Sequence, residues 1–201
     1  GHFIFTRFDL TAEKRYTLSP ASRKMLKELD DIIYFKVYLD GEFPAGFKRL
    51  RNETREILNE FRAYSSNIQF EFINPSSKGD KGHVKKVFEQ LMQKGLQPTS
   101  LQVKTNEGFS EQIIFPGALV IYREKEVPLQ LLISQIGASP EATLNSSIEN
   151  IEYNIAAAIK KLTQKDKPAV AFLEGHGELS DMFTADAMWL MSEFYQVRRV
   201  R

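Results

Sequence analysis

The chain has 201 residues, 42% of them hydrophobic and 26% charged, and its formal charge is +1 from 27 basic and 26 acidic side chains. This is the composition of a globular protein, and so small a net charge gives no general attraction to nucleic acid or anionic lipid. No apolar stretch approaches the roughly 20 residues of a membrane-spanning helix, and the absence of cysteine excludes disulfides, thiolate catalysis and cysteine-ligated zinc.

The first half of the chain alternates predicted helices and strands. Ser19 followed by Pro20 predicts a helix start, because the serine hydroxyl can cap the helix while proline occupies the first turn. The β-branched and aromatic run at 32–39 predicts a strand, and apolar residues at helical spacing over 47–64 predict a second helix. Alternation at 68–72 predicts the next strand.

The following elements include an antiparallel pair of strands. A helix is predicted from His83 to Lys94, and a strand at 101–104. Strands at 112–123 and 127–133 are separated by the polar turn 124–126, which indicates a hairpin. A long helix is predicted to begin at Ser146 or Ser147, with its buried stripe on the apolar positions Ile148, Ile151, Ile155, Ala158, Ile159 and Leu162.

The order of the predicted helices and strands indicates an α/β fold over residues 1–164, with an N-terminal extension. Helices between the early strands require parallel crossovers, whereas the late hairpin is antiparallel, so we expect a mixed sheet covered on both faces. The order βαβαββα resembles the thioredoxin-like fold. The resemblance concerns topology alone, since the Cys-x-x-Cys motif of redox chemistry is absent.

Residues 168–201 predict the beginning of a second α/β domain of Rossmann-like type. The apolar run VAFL at 170–173 leads into a glycine-flanked turn, a helical pattern at 184–194 and a short strand at 195–200. Three such elements cannot close a core by themselves. We therefore expect the chain to be a piece of a longer protein.

The turn Glu174-Gly175-His176-Gly177-Glu178 is the candidate ligand-binding site. Open α/β sheets bind ligands at the carboxyl ends of their strands, and glycines let a ligand approach the backbone. One hypothesis is an anion or small-ligand pocket formed by His176 and the two glutamates. The alternative is that the glycines only satisfy a sharp strand-to-helix turn, since G-x-G alone is a weak signal.

The remaining candidate groups of residues do not indicate a catalytic or metal site, and we expect no cofactor. The basic residues around Gly79 and Gly82 lack the phosphate-loop pattern and predict a solvated helix face. The basic and acidic residues of the helix at 47–64 predict surface ion pairs of i,i+4 spacing rather than nucleic-acid binding. The apolar residues at 109–117 predict core packing or, alternatively, a partner-binding strand edge.

Three segments resemble the GldG family, the gliding-motility-associated auxiliary component of an ABC transporter. They are FDLTAEKRYTLSP at 8–20, VYLDGEFPAGFKRL at 37–50 and FLEGHGE at 172–178. The resemblance implies a region on the periplasmic side of the bacterial inner membrane, anchored by segments outside this piece and partnered with an ABC permease and a separate ATPase subunit. It also implies that the second domain resembles the GIFT domain and binds a glycan or small molecule near 174–178.

The leading hypothesis is therefore a non-enzymatic extracytoplasmic module of an ABC transport system, which binds a substrate or docks to the permease and other envelope proteins. One alternative is an enzyme or ligand-processing domain centred on His176. Another is a purely structural oligomerisation or partner module that uses the aromatic-rich strands at 109–115.

Overall fold

A computed structural model describes residues 17–164 in full, together with the backbone of two strands at 169–173 and 196–200. The chain divides into two compact units, Gly1–Thr163 and Gln164–Arg201. Within the described residues, no helix has both the length and the apolar character needed to cross a membrane.

The first unit is built from alternating helices and strands, followed by two hairpins and two further helices. In chain order the elements are α1 (Pro20–Lys27), β1 (Ile33–Val37), α2 (Ala45–Tyr64), β2 (Ile68–Phe72), α3 (Lys81–Gln93), β3 (Thr99–Thr105), β4 (Gly108–Ile114), β5 (Gly117–Tyr122), β6 (Lys125–Gln130), α4 (Pro140–Glu149) and α5 (Ile151–Thr163).

A mixed four-stranded sheet organises this unit, in the order β2-β1-β5-β6. β2 is parallel to β1, with Phe70 opposite Phe35, because the intervening α2 carries the chain back to the starting edge. β5 is antiparallel to β1, and β6 is antiparallel to β5. β3 and β4 form a separate antiparallel hairpin. The predicted α/β class and mixed sheet are thus confirmed at this level.

One face of the sheet carries the main core. Alternate residues of β1, which are Ile33, Phe35 and Val37, are fully buried there and pack with apolar residues of α2 and α5 such as Leu58 and Ile159. This alternation is expected because successive side chains of a strand point to opposite faces. The amphipathic helices therefore cover the sheet by their apolar stripes.

The opposite face is covered only at one end, where α3 builds a smaller second core. Leu91 of α3 packs there with Leu96, Phe115 and Leu119. The rings of Phe88 and Phe115 meet edge to face with centres 5.0 Å apart. The rest of this face is half-buried or exposed. The expectation that helices cover both faces is therefore correct for one face and only partly correct for the other.

The helix α1 is joined to α5 at its amino end. Ser19 caps the helix by accepting from the Ser22 amide at 3.2 Å. The Glu152 carboxylate of α5 accepts from the Ser19 amide at 2.8 Å and from the Ser22 hydroxyl at 2.7 Å. A carboxylate at a helix N-terminus is stabilised by the free amides and the helix dipole. This contact fixes the start of the described domain against its last helix.

The predicted single strand at 112–123 is wrong, because the chain is interrupted between β4 and β5. Pro116 has no amide hydrogen to donate to a ladder. At Gly117 an added Cβ would lie 2.9 Å from the carbonyl oxygen of Leu129 and 2.9 Å from Leu96. The interruption lets β4 leave the sheet while β5 enters its centre.

The predicted helix start at Ser146 or Ser147 is also wrong. α4 begins at Pro140, and the Ser139 hydroxyl accepts from the Ala142 amide at 3.1 Å. This is the same serine-proline signal that begins α1. A break at Asn150 separates α4 from α5.

The second unit contains two described strands, β7 (Ala169–Leu173) and β8 (Gln196–Val200). They are parallel, with Ala169 opposite Gln196 and Leu173 opposite Val200. A parallel pair needs a crossover connection, and the helix predicted at 184–194 lies outside the described residues.

Candidate functional site

The ligand-binding site predicted at the glycine-histidine-glycine turn lies outside the described residues. The whole predicted set, Glu174, Gly175, His176, Gly177 and Glu178, is part of the undescribed segment between β7 and β8. The strand that leads into the turn is described and ends at Leu173. The site remains a prediction from the sequence.

The most exposed apolar surface among the described strands is the β3–β4 hairpin. Its two strands pair only with each other. At its base Leu101 packs against the main core, and the Gln112 side chain donates to the Glu42 carbonyl at 2.8 Å. An isolated hairpin is marginally stable in water, so this attachment to the domain is what holds it.

One face of the hairpin presents two large apolar side chains to solvent. Phe109 is 76% exposed and Ile113 is 41% exposed, and because they are four residues apart in β4 they lie on one face of the hairpin. Lys104 lies opposite Phe109, and Glu111 lies between the two apolar residues. We call this set the hairpin face. An apolar pair ringed by charges is typical of a protein-binding surface.

The prediction of core packing for residues 109–117 is confirmed for some of these residues, and the alternative of a partner-binding strand edge stays a prediction. Ile114 and Phe115 are buried in the main and second cores, as core packing predicts. Phe109 and Ile113 are instead exposed on the hairpin face. The change from exposed to buried occurs between Ile113 and Ile114, at the end of β4.

The ion pairs predicted along α2 are not those that the structure contains. Lys48 pairs with Glu42 at 3.0 Å, and Arg51 pairs with Asp40 at 3.5 Å. Both basic side chains therefore reach the loop before the helix. No ion pair between two residues of α2 occurs in the described part of the chain. The prediction of i,i+4 pairs is wrong for this helix.

Arginines of α2 instead stack on phenylalanine rings. The guanidinium carbon of Arg55 lies 4.3 Å from the ring centre of Phe72, and that of Arg62 lies 4.6 Å from the ring centre of Phe70. Such stacking holds a cation over the electron-rich face of a ring. The sequence signal was available, because Arg55 and Arg62 are two turns apart and the two phenylalanines alternate in β2.

The basic residues predicted to lie on a solvated face are exposed at the start of α3. They are Lys78, Lys81, His83, Lys85 and Lys86. Asp80 caps the helix by accepting from the His83 amide at 2.9 Å. Over residues 17–164, no group of three or more histidine, aspartate or glutamate side chains is arranged to hold a metal ion.

A hydrogen-bonded cluster joins the β5–β6 turn to the loop before β1. The Tyr122 hydroxyl donates to Asp30 at 2.6 Å, and Arg123 pairs with Asp30 at 3.1 Å and with Asp31 at 3.3 Å. The Tyr122 hydrogen bond, assisted by the Arg123 charge and opposed by burial, lowers the pKa of Asp30. The same bond raises the pKa of Tyr122. The arrangement is a structural clamp.

Comparison with known proteins gives one match. A family model described as "Domain of unknown function (DUF7088)" matches residues 12–121. No curated protein and no solved structure is detectably similar to the chain. The matched region runs from before α1 to the end of β5 and contains the hairpin and the α2–β2 stacks.

Proposed function

The chain belongs to the DUF7088 family, whose model spans more than half of its residues, and from that premise we propose that it is a non-enzymatic docking module of a bacterial ABC transport system. The module lies on the periplasmic side of the inner membrane. It acts by binding the permease or another envelope protein rather than by chemistry of its own.

The hairpin face is the observation that carries this proposal. Exposing Phe109 and Ile113 together on a two-stranded sheet costs free energy in water, because each apolar side chain is worth about 1.5–3 kcal/mol when fully buried. A partner protein that covers the face recovers that free energy. Aromatic residues are also enriched at the centres of protein interfaces.

The resemblance to the GldG family supports the transport part of the proposal. The segments 8–20 and 37–50 lie wholly or partly within the family match, and their resemblance implies a permease, an ATPase subunit and a role in gliding motility. The membrane anchor would lie in segments of the full-length protein outside this chain.

We infer that the first unit is a thioredoxin-like domain with the β3–β4 hairpin inserted. The support is the order β2-β1-β5-β6, in which the parallel pair precedes the antiparallel strands and α5 closes the domain. For the second unit we infer a GIFT-type α/β domain. Its support is the parallel pair β7 and β8 and the resemblance at 172–178.

The docking proposal is tested by co-purification of the full-length protein with the ABC permease and ATPase subunits of the same organism. Phe109→Ser combined with Ile113→Ser is expected to weaken the complex at least tenfold, because it removes the apolar pair of the hairpin face. The matched control is Ile133→Ser combined with Tyr153→Ser, two exposed residues outside the hairpin. It should leave the complex intact.

Two results would contradict the proposal. One is a complex that survives the hairpin double variant at full strength. The other is equal loss in both double variants, since that would show a general effect of surface apolar residues rather than a docking face.

Ligand binding at 174–178 is tested separately. We propose that this turn binds a glycan or small molecule, on the support of its position after β7. A glycan and metabolite library is screened by thermal shift on the full soluble region. A saturable ligand is expected to be lost in His176→Ala while the melting temperature of the free protein is unchanged. Turnover of that ligand would instead support the alternative of an enzyme.

A further inference from the structure

Within the part of the chain that the structure describes, the outer edge of β2 has no strand beside it and bears two arginines with no acidic partner. Among the described strands β2 has a single neighbour, β1, so alternate N–H and C=O groups of β2 point away from the sheet without a strand partner. In residues 17–164, no carboxylate oxygen lies within 4.0 Å of Arg55 or Arg62. The edge therefore combines backbone groups that no described strand pairs with two arginines that no described carboxylate contacts.

The stacking geometry leaves both guanidinium groups able to bind an acceptor. A guanidinium that lies over an aromatic ring keeps the N–H donors of its edge available, and two of them match the two oxygens of a carboxylate. Arg62 uses one nitrogen to donate to the Asn59 side chain at 2.8 Å. Its stack on Phe70 and that of Arg55 on Phe72 fix each group in place. Each arginine is thus held ready for a bidentate contact at reduced entropic cost.

The two stacks rest on alternate residues of β2, Phe70 and Phe72. The ring centres of Phe70 and Phe72 are 6.1 Å apart. Alternate residues of an extended chain are about 6.5–7 Å apart. If a strand is added to the outer edge of β2, every second side chain passes the two stacks in turn.

We propose that this edge binds an extended acidic segment of a partner protein. The segment adds as a strand to β2 and places carboxylates at alternate positions on Arg55 and Arg62. Main-chain hydrogen bonds supply affinity in such strand addition, and alternate side chains supply specificity. The unpaired backbone beside the arginines favours a polypeptide over a nucleic acid. This surface is distinct from the hairpin face, and the inference does not depend on it.

The other side of β2 defines the remaining positions of the segment. Gln69 and Glu71 are exposed there, and Glu71 would repel a carboxylate placed directly across from it. The bound segment therefore alternates acidic residues with neutral or basic ones.

The test measures binding of a fluorescein-labelled synthetic peptide of alternating glutamate and threonine to the 201-residue chain by fluorescence anisotropy. Binding is expected to weaken as salt is raised, because charge pairs at a surface are screened. Arg55→Gln combined with Arg62→Gln should reduce the affinity at least tenfold. The matched control is Arg49→Gln in the same helix, whose side chain donates to Asn145 at 3.1 Å; it should bind as the unaltered chain does.

A variant with reversed charges distinguishes a loss of binding from a loss of folding. Arg55→Glu combined with Arg62→Glu should lose the glutamate peptide and gain the corresponding lysine-threonine peptide. Hydrogen exchange of the outward-facing amides of β2, those of Phe70 and Phe72, should slow when either matched peptide binds.

Five outcomes would overturn the proposal. The glutamate peptide could fail to bind, or bind equally to the double glutamine variant. The charge-exchanged variant could bind neither peptide. The amides of β2 could stay unprotected in the complex, which would exclude strand addition. Finally, a single-stranded oligonucleotide could bind more tightly than the peptide through the same two arginines.

Discussion

The strands β4 and β5 are consecutive in the chain but have opposite environments. In β5 only Ile121 is less than fully buried, whereas in β4 only Ile114 is buried. β5 has a strand on each side, with most of its buried residues in the main core and Leu119 in the second core, while among the described strands β4 pairs with β3 alone. The sheet is therefore the part of the first unit that specifies the fold. The surface of the hairpin is left exposed for contacts with other molecules.

The largest expected difference between the sheet and the hairpin is in the stability that each loses when one of its aromatic side chains is truncated. Phe35→Ala removes a fully buried ring from the centre of β1 and should lower the free energy of unfolding by about 3–5 kcal/mol. Phe109→Ala removes an exposed ring and should change it by less than about 0.5 kcal/mol. Urea denaturation measures both. Similar losses in the two variants would mean that the hairpin belongs to the same cooperative core.

Alanine substitution of one glycine in each region should have an effect of intermediate size. Gly117→Ala places a Cβ against the Leu129 carbonyl in the sheet and should destabilise the whole unit by about 1–3 kcal/mol. Gly108 has no atom within 4 Å of an added Cβ, but its φ is +133°, so Gly108→Ala strains the backbone at the hairpin turn. Its effect should be confined to the hairpin.

Native-state hydrogen exchange distinguishes these two effects. In Gly108→Ala, only the amides of β3 and β4 should exchange faster, because the sheet does not depend on the hairpin turn. In Gly117→Ala, amides throughout the first unit should exchange faster. Faster exchange throughout the unit in Gly108→Ala would contradict the separation of the two regions.

The smallest expected effect is a pH dependence of the β5–β6 turn. Because the folded-state pKa of Asp30 is lowered from 3.8, its contribution to stability is present above pH 3.8 and is lost as the pH falls through the folded value. Because the pKa of Tyr122 is raised from 10.0, its contribution is present below pH 10.0 and is lost as the pH rises through its folded value.

The measurement compares the melting temperature of the unaltered chain with that of Tyr122→Phe across this range. The difference should be largest between about pH 4 and pH 10 and should shrink on either side. A constant difference would show that the hydroxyl contributes no charge-dependent hydrogen bond. The turn between β3 and β4 has no equivalent clamp, and its Thr105 hydroxyl donates only to the Gly108 carbonyl at 3.2 Å.

Much of the secondary structure follows from local patterns in the sequence. The strand predicted at 68–72 coincides with β2, and the helix predicted at 47–64 begins only two residues earlier in the structure. These elements have strong periodicity, which depends on neighbours in sequence. The Ser19-Pro20 start is confirmed for α1, and the same signal at Ser139-Pro140 would have placed α4 correctly.

The surfaces were harder to predict because they depend on contacts between distant residues. The exposure of Phe109 follows from the register of β3 with β4 and from the exit of the hairpin from the sheet, which no local pattern encodes. Similarly, Arg55 and Arg62 look like members of an ion-paired helix until β2 is placed beside α2. Sequence therefore indicates which residues are apolar or charged, and the tertiary fold determines which of them are left without partners.

The bond between Glu152 and the start of α1 has a consequence for how the domain is made. Ser19 and Glu152 are 133 positions apart, so the ribosome must synthesise nearly the whole first unit before the amino-terminal helix meets its carboxylate. At 5–20 residues per second, this delay is roughly 7–27 s. During that interval the apolar side of α1, including Leu26, lacks its α5 neighbours.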